Sequence, residues 1–271
     1  MVIGFAKASA SCIDKPFEVI IAAPKCLSAC CACLACFEIA DFMPQTKKTI
    51  RIWDLPTRLF HVALALCVTG AIVTVKLGGL WMEWHVRLGI ASLALVTFRV
   101  LWGLVGPRYA RFAQFYASPR KTWAYFKTPI SSAGTSAGHN PLGAWSVFGL
   151  LAIIGWQGVS GLFANDDILT QGPFAAMVSS AWSERLTGLH QFNEVFLYAA
   201  IGLHLSAIAF YTYKGQRLIM PMVHGDKRAE AVPLNTVPAQ DDWRVRAFAV
   251  LLALTLSALA WWLIRLAFNA S

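Results

Sequence analysis

Apolar residues fall into five long runs, about Leu59–Leu77, Val86–Val105, Trp145–Phe163, Phe192–Tyr213 and Ala247–Ile264, separated by polar and basic stretches. Each approaches the roughly 20 residues that an α-helix needs to cross a bilayer. Lys76 ends the first run, and Arg87 and Arg99 interrupt the second. Trp81, Trp84, Trp102, Trp145 and the pair Trp261–Trp262 lie at or near run ends, where an interfacial aromatic belt forms. The pattern predicts an all-α membrane protein with five spanning helices.

Composition agrees with the pattern. The chain has 271 residues, 57% hydrophobic and 14% charged, which is too apolar for an ordinary soluble domain. Its formal net charge of +9 sits in loops between apolar runs and so does not point to nucleic acid. The basic residues also predict orientation. Lys47, Lys48, Arg51 and Arg58 lead into the first run, Arg108, Arg111, Arg120, Lys121 and Lys127 follow the second, and Lys214, Arg217, Lys227, Arg228, Arg244 and Arg246 follow the fourth. The third connection instead holds Asp166, Asp167 and Glu184 against Arg185. The positive-inside rule then places the lead-in to the first helix in the cytoplasm and the carboxyl terminus outside; the expected location, a bacterial inner membrane, goes with the family resemblance given below.

Ionisable side chains inside spanning helices are costly and mark function. His190 and His204 stand fourteen residues apart, a rise of roughly 21 Å and just under four helical turns. Both rings therefore leave nearly the same helix face at opposite depths. Sorted by depth on the predicted topology, His61 joins His204 as an inner pair and His85 joins His190 as an outer pair. Two bis-imidazole sites at opposite sides of a bundle suit two stacked haems and an electron path between them. Zinc would want its ligands gathered at one point. A helical transporter or a membrane anchor without haem is the alternative, although no internal repeat or broken-helix pair of the transporter kind is apparent.

The stretches "WDLPTRLFH", "WHVRLGI", "GHNPLGAW" and "HQFNEVFLYAAIGLHLSAIAFY" resemble the bacterial cytochrome b561 family, which includes the membrane cytochrome b subunit of nickel–iron hydrogenases. The resemblance runs from about Ile50 to Val223. It implies a four-helix core that binds two haems b and passes electrons between membrane quinone and a redox partner such as a hydrogenase subunit or a c-type cytochrome. The family's haem-ligand histidines fall on His61, His85, His190 and His204. Arg58, Arg87 and Arg99 are candidates for the haem carboxylates, because arginine stays charged when desolvated and its fork matches a carboxylate; snorkelling to the headgroups is the competing role. His139 and His224 lie in basic loops and are expected to be solvated or structural. Gly155, Gly158, Gly161 and Gly70 suit close approach either of a macrocycle or of a neighbouring helix. No nucleotide, flavin or iron–sulfur motif is evident, so electrons are expected to come from and go to other molecules.

The expected organisation is a Cys-rich leader over 1–42, a di-haem domain over 43–223, a basic linker over 224–246 and a fifth helix over 247–268. Cys12, Cys26, Cys30, Cys31, Cys33 and Cys36 crowd the leader without the paired Cys-x-x-Cys arms of a zinc ribbon. Met43 opens a short basic lead of the kind that precedes a first helix anchored in the cytoplasm. A chain that begins at Met43 should therefore insert and take up haem as well as the full one. Haem content per protein in membranes expressing each form checks this, and loss of haem in the shorter form would give the Cys cluster a role.

Overall fold

The computed structural model describes residues 49–128, 136–166 and 170–269. The cysteine cluster and Met43 lie outside the described residues. Six labelled helices carry the fold: α1 (Leu55–Leu77), α2 (Met82–Val105), α3 (Pro119–Lys127), α4 (Pro141–Gly161), α5 (Ser180–Tyr213) and α6 (Trp243–Asn269). Five of them, all but α3, are long and apolar enough to cross a membrane. The protein is an all-α membrane bundle.

Four of the five spanning helices begin four residues before the apolar run that marks them, and α5 begins twelve before. The first turn of a helix is stabilised by caps and proline rather than by hydropathy. Pro56 sits in the first turn of α1 behind Asp54. Asn140 caps α4 by accepting a hydrogen bond from the Gly143 amide at 2.6 Å, with Pro141 next in line. The tight turn from α1 into α2 needs left-handed backbone at Gly78 and Gly79, with φ of 63° and 54°.

Helix α2 is the centre of the bundle. It packs against α1, α4 and α6, and α4 packs in turn on α5. Among the described residues α1 and α5 are not a closely packed pair, which leaves a seam along the bundle between them. Glycines allow the tight contacts. A Cβ on Gly70 would stand 2.8 Å from Leu88 and one on Gly158 2.9 Å from Leu93, while Gly155 faces Val96. Those three are helix-packing glycines, whereas Gly161 lies against the His190 ring, 3.0 Å from its would-be Cβ. Large apolar side chains such as Leu66, Val195, Leu203 and Leu254 face outward, as lipid contact requires.

The end of the bundle that carries the basic loops is tied together by a small sheet. Strand β1 (Thr49–Arg51) pairs antiparallel with β2 (Asp226–Arg228), Ile50 opposite Lys227. Gly225, at φ 91°, turns its carbonyl to accept from the amides of Ile52 and Trp53 at 2.8 and 3.0 Å. Arg51 bridges Asp226 and Asp241 at 2.5 and 2.7 Å, and Asp241 also binds Arg246 at the start of α6. Burial alone would raise the Asp241 pKa, but hydrogen bonds from Arg246, the Leu55 amide and Arg51 hold it below its ordinary value. Val232 is buried with Ile52 and Trp53. The stretch between α5 and α6 thus packs back on the bundle instead of hanging free.

Asp54 anchors this end from within. It is 1% exposed, accepting from the Thr57 hydroxyl at 2.7 Å and the Trp102 indole at 2.8 Å. Trp102 is itself 1% exposed and stacks between Phe98 and Phe248. Replacing Asp54 by Leu strands both donors, at about 1–3 kcal/mol each. The midpoint of thermal unfolding in detergent should fall by several degrees, and Trp102→Phe, which removes one donor and keeps the ring, should cost less.

Candidate haem sites

Helix α5 carries two histidines on one unbroken helix, and each faces a histidine from the other side of the seam. The His204 ring lies 6.4 Å from the His61 ring, centre to centre, with the planes inclined by 51°. The His190 ring lies 6.2 Å from the His85 ring at 90°. His61 comes from the second turn of α1 and His85 from the first turn of α2. Among the described residues no three His, Cys, Asp or Glu side chains gather as one metal site; the histidines come in twos.

That spacing can be tested against a metal between the rings. A bond of roughly 2 Å from metal to each imidazole nitrogen, plus about 1 Å from nitrogen to ring centre, separates two trans rings by roughly 6 Å. The centre-to-centre distances of both pairs match that span.

The pair His85–His190 is oriented by main-chain acceptors. His85 Nδ1 lies 2.9 Å from the Ala71 carbonyl and His190 Nδ1 3.0 Å from the Gln157 carbonyl. A carbonyl only accepts, so Nδ1 carries the proton on both rings and Nε2 keeps its lone pair for a metal. Ser160 Oγ adds a contact to His190 Nδ1 at 3.2 Å. Asn193 locks α5 to α4 through the Ile153 carbonyl at 3.0 Å and the Gln157 side chain at 2.6 Å. Gln157, Ser160 and Asn193 were not singled out by the sequence; an apolar helix face interrupted by amides and a hydroxyl one turn apart was the available signal.

The basic end of the bundle, from which His61 enters in the second turn of α1, carries several cations. Arg99 on α2 is 3% exposed, its guanidinium 4.8 Å from the Phe112 ring, and its Nη1 is buried with no hydrogen-bond partner. Arg58 donates from Nη1 to the Val223 carbonyl at 2.6 Å, while its Nε is buried without a partner. Arg99 is thus a buried cation with one unpaired donor, an unfavourable arrangement in a protein interior, whereas Arg58 is a half-exposed side chain with one occluded nitrogen. Arg87, at the other end, differs: Glu83 engages its Nη2 and it lies over Trp84 and Phe268, although its Nε also lacks a partner. Cys67 is half-buried on α1 and unpaired. His224 ends the short helical turn after α5 on an exposed surface.

His139 packs against Trp53 and Phe115, the structural alternative of the sequence expectation. Its Nδ1 is buried without a partner. Burial, then the nearby charges of Arg99, Lys227 and His61, press its pKa down to about 3, so the ring is neutral. Burial likewise lowers Lys227 to about 8.

The residues therefore fit a bis-histidine prosthetic group at each pair, with acceptor-oriented imidazoles at His85 and His190. Comparison with known families agrees with the chemistry. A family model described as prokaryotic cytochrome b561 matches residues 52–225, from the buried Ile52 through all four histidines to Gly225. Neither the curated proteins nor the solved structures give a match. With the match covering well over half of the chain, the protein belongs to the prokaryotic cytochrome b561 family, the membrane b-type cytochromes of electron transfer.

Proposed function

We propose that this cytochrome binds two haems b, one between His61 and His204 and one between His85 and His190, and relays electrons between membrane quinone and a separate redox protein. The single observation that carries the reading is the pair of facing imidazoles at two depths on α5, 6.4 and 6.2 Å between ring centres. Each bound haem would supply a one-electron iron couple. His61 with His204 and His85 with His190 would each hold an iron through two imidazoles, and the chemistry supplied would be outer-sphere electron exchange rather than ligand binding at the metal.

The chain's own residues divide the remaining work. Ala71 and Gln157 carbonyls fix the tautomer and ring plane of His85 and His190 and make those imidazoles more basic ligands. Arg58 and Arg99 would neutralise the carboxylates of the haem at His61 and His204. Arg87 already has Glu83, so the carboxylate assignment rests on the other two. The charge asymmetry of the loops supports an inner-membrane protein with the β1–β2 end in the cytoplasm. A hydrogenase-type subunit or a c-type cytochrome suits the role of partner, and lipid surrounds the bundle.

Redox titration of histidine variants tests the pairing. His61→Ala and His204→Ala should remove one and the same low-spin component, and His85→Ala and His190→Ala the other. Pyridine haemochrome analysis of the parent protein should give two haems per chain. Loss of one component by His61 and His190 variants together would sink the assignment.

Arg99 supplies a second test. A buried positive charge favours the reduced, more negative state of a nearby iron. Arg99→Leu should therefore lower the midpoint of the His61–His204 component alone, on the order of 60 mV, a tenfold change for a one-electron couple. An equal shift in both components would mean that the charge acts through the fold and not at one site.

A further inference from the structure

Helix α3 is too short to cross a membrane, yet spanning helices flank it in the chain: α2 ends at Val105 and α4 begins at Pro141. Ser118 caps its start by accepting from the Lys121 amide at 3.4 Å, and Pro119 follows in the first turn. Two side chains three residues apart fix it to α4. The Trp145 indole donates to the Thr122 hydroxyl at 3.0 Å, and Asn140 Nδ2 donates to the Tyr125 hydroxyl at 3.2 Å. Asn140 is the cap of α4 and Trp145 lies in its second turn. Helix α3 is therefore held at the level where α4 enters its apolar stretch.

The remaining edges of α3 are exposed and sort by chemistry. Pro119, Trp123 and Phe126 share one edge by their helical spacing. Trp123 and Phe126 are 61% and 67% exposed, with their rings stacked 6.1 Å apart. Arg120 and Lys127 share the next edge and are also exposed, roughly 10 Å apart along the axis. The Lys127 ammonium lies 5.0 Å from the centre of the Trp123 ring, so the two edges meet. The chain between Val105 and Pro141 holds Arg108, Arg111, Arg120, Lys121 and Lys127 and no Asp or Glu. Its own sequence thus offers these cations no counter-ion.

Two other helix ends on the basic side repeat the arrangement. Lys214 stands 5.8 Å from the exposed Phe210 ring at the end of α5, and Arg244 5.6 Å from the exposed Trp243 ring at the start of α6. An aromatic ring toward lipid with a cation on its water side marks a bilayer interface. In α3 the same pairing extends along a whole amphipathic helix, the form that binds a membrane surface through apolar area and charge together. An acidic protein would answer the cations and leave the two rings in water. A neutral lipid would answer the rings and leave the cations without an anion. An anionic phospholipid answers both.

We propose that α3 is a binding site for an anionic phospholipid, with the headgroup phosphate on Arg120 and Lys127 and the acyl chains along Trp123 and Phe126. The inference needs only the membrane bundle and stands apart from the haem reading. Bound lipid would brace the approach to α4, because the opposite edge of α3 holds Asn140 and Trp145 through Tyr125 and Thr122.

Native mass spectrometry of the full chain tests the site, with the protein purified in detergent containing equal amounts of phosphatidylglycerol and phosphatidylcholine. The parent should retain phosphatidylglycerol over phosphatidylcholine by about tenfold or more, since one Lys or Arg at a membrane surface is worth roughly fivefold. The double variant Arg120→Gln/Lys127→Gln should lose most of that preference while unfolding at the parent's temperature in lipid-free detergent. Trp123→Gln keeps both charges and removes part of the apolar seat, and it should lower retention as well. Arg217→Gln/Arg228→Gln removes the same charge from exposed positions outside α3 and should keep the parent's preference.

Equal retention of the two lipids by the parent would overturn the proposal. An equal loss in the Arg217–Arg228 variant would do so too, leaving only a general attraction to a chain of net charge +9. Unchanged preference in Arg120→Gln/Lys127→Gln would give those cations to an acidic protein surface. Displacement of phosphatidylglycerol by inorganic phosphate, or full retention in Trp123→Gln, would make this a site for a free anion and not for a lipid.

Discussion

The hydrogen-bond ladder of α5 runs unbroken from Ser180 to Tyr213, and its rise sets the distance between His190 and His204 at roughly 21 Å. Everything that meets those two rings has to come to them. Helix α1 brings His61 in its second turn, before the apolar stretch has properly begun, and α2 brings His85 in its first. The turn through Gly78 and Gly79 lets α1 and α2 run as an antiparallel pair, so one histidine is delivered at each end. The seam between α1 and α5 follows from the same requirement. Two rings with 6.4 Å between centres need helices that stand apart, whereas the α2–α4 contact is closed by Gly158 against Leu93.

Holding a seam open in a membrane protein removes packing that would otherwise stabilise the bundle. The structure compensates at its edges. Lys76 at the end of α1 reaches Glu194 on α5 at 2.6 Å, and Tyr198 also binds that carboxylate. At the basic end, Arg58 on α1 bonds the carbonyl of Val223 just beyond α5. The β1–β2 sheet and the Arg51–Asp226–Asp241–Arg246 cluster then fasten the start of α1 to the approach to α6. Helices α1 and α5 are thus joined by polar contacts at their ends, with the His61–His204 pair between them.

Much of this was legible in the sequence because membrane helices announce themselves by hydropathy. The five spans, their order and the depth of each histidine follow from run position and loop charge. The first turns were not legible: Leu55–Arg58 and Met82–His85 are helical because of Asp54, Pro56 and the glycine turn, which hydropathy does not register. The glycine pattern on α4 was ambiguous for a physical reason, since a small residue admits a helix or a cofactor equally well, and only coordinates distinguish Gly158 against Leu93 from Gly161 against His190. His139 was hidden for another reason. A loop histidine in a basic stretch looks solvated, and its burial depends on Trp53, Phe115 and Lys227, which lie far from it in the chain.

The two histidine pairs are chemically unequal, and the inequality is written in their neighbours. His85 and His190 donate to main-chain carbonyls, which strengthens each imidazole as a ligand and favours the more highly charged, oxidised metal. Towards the basic end, the end from which His61 enters, stand Arg58, Arg99 and the Lys227 that pins the neighbouring loop, and positive charge favours the reduced state. On the proposed ligation both influences separate the potentials in the same sense, making the His61–His204 site the easier to reduce. Carboxylates docked on Arg58 and Arg99 would cancel part of that difference by restoring negative charge beside the iron.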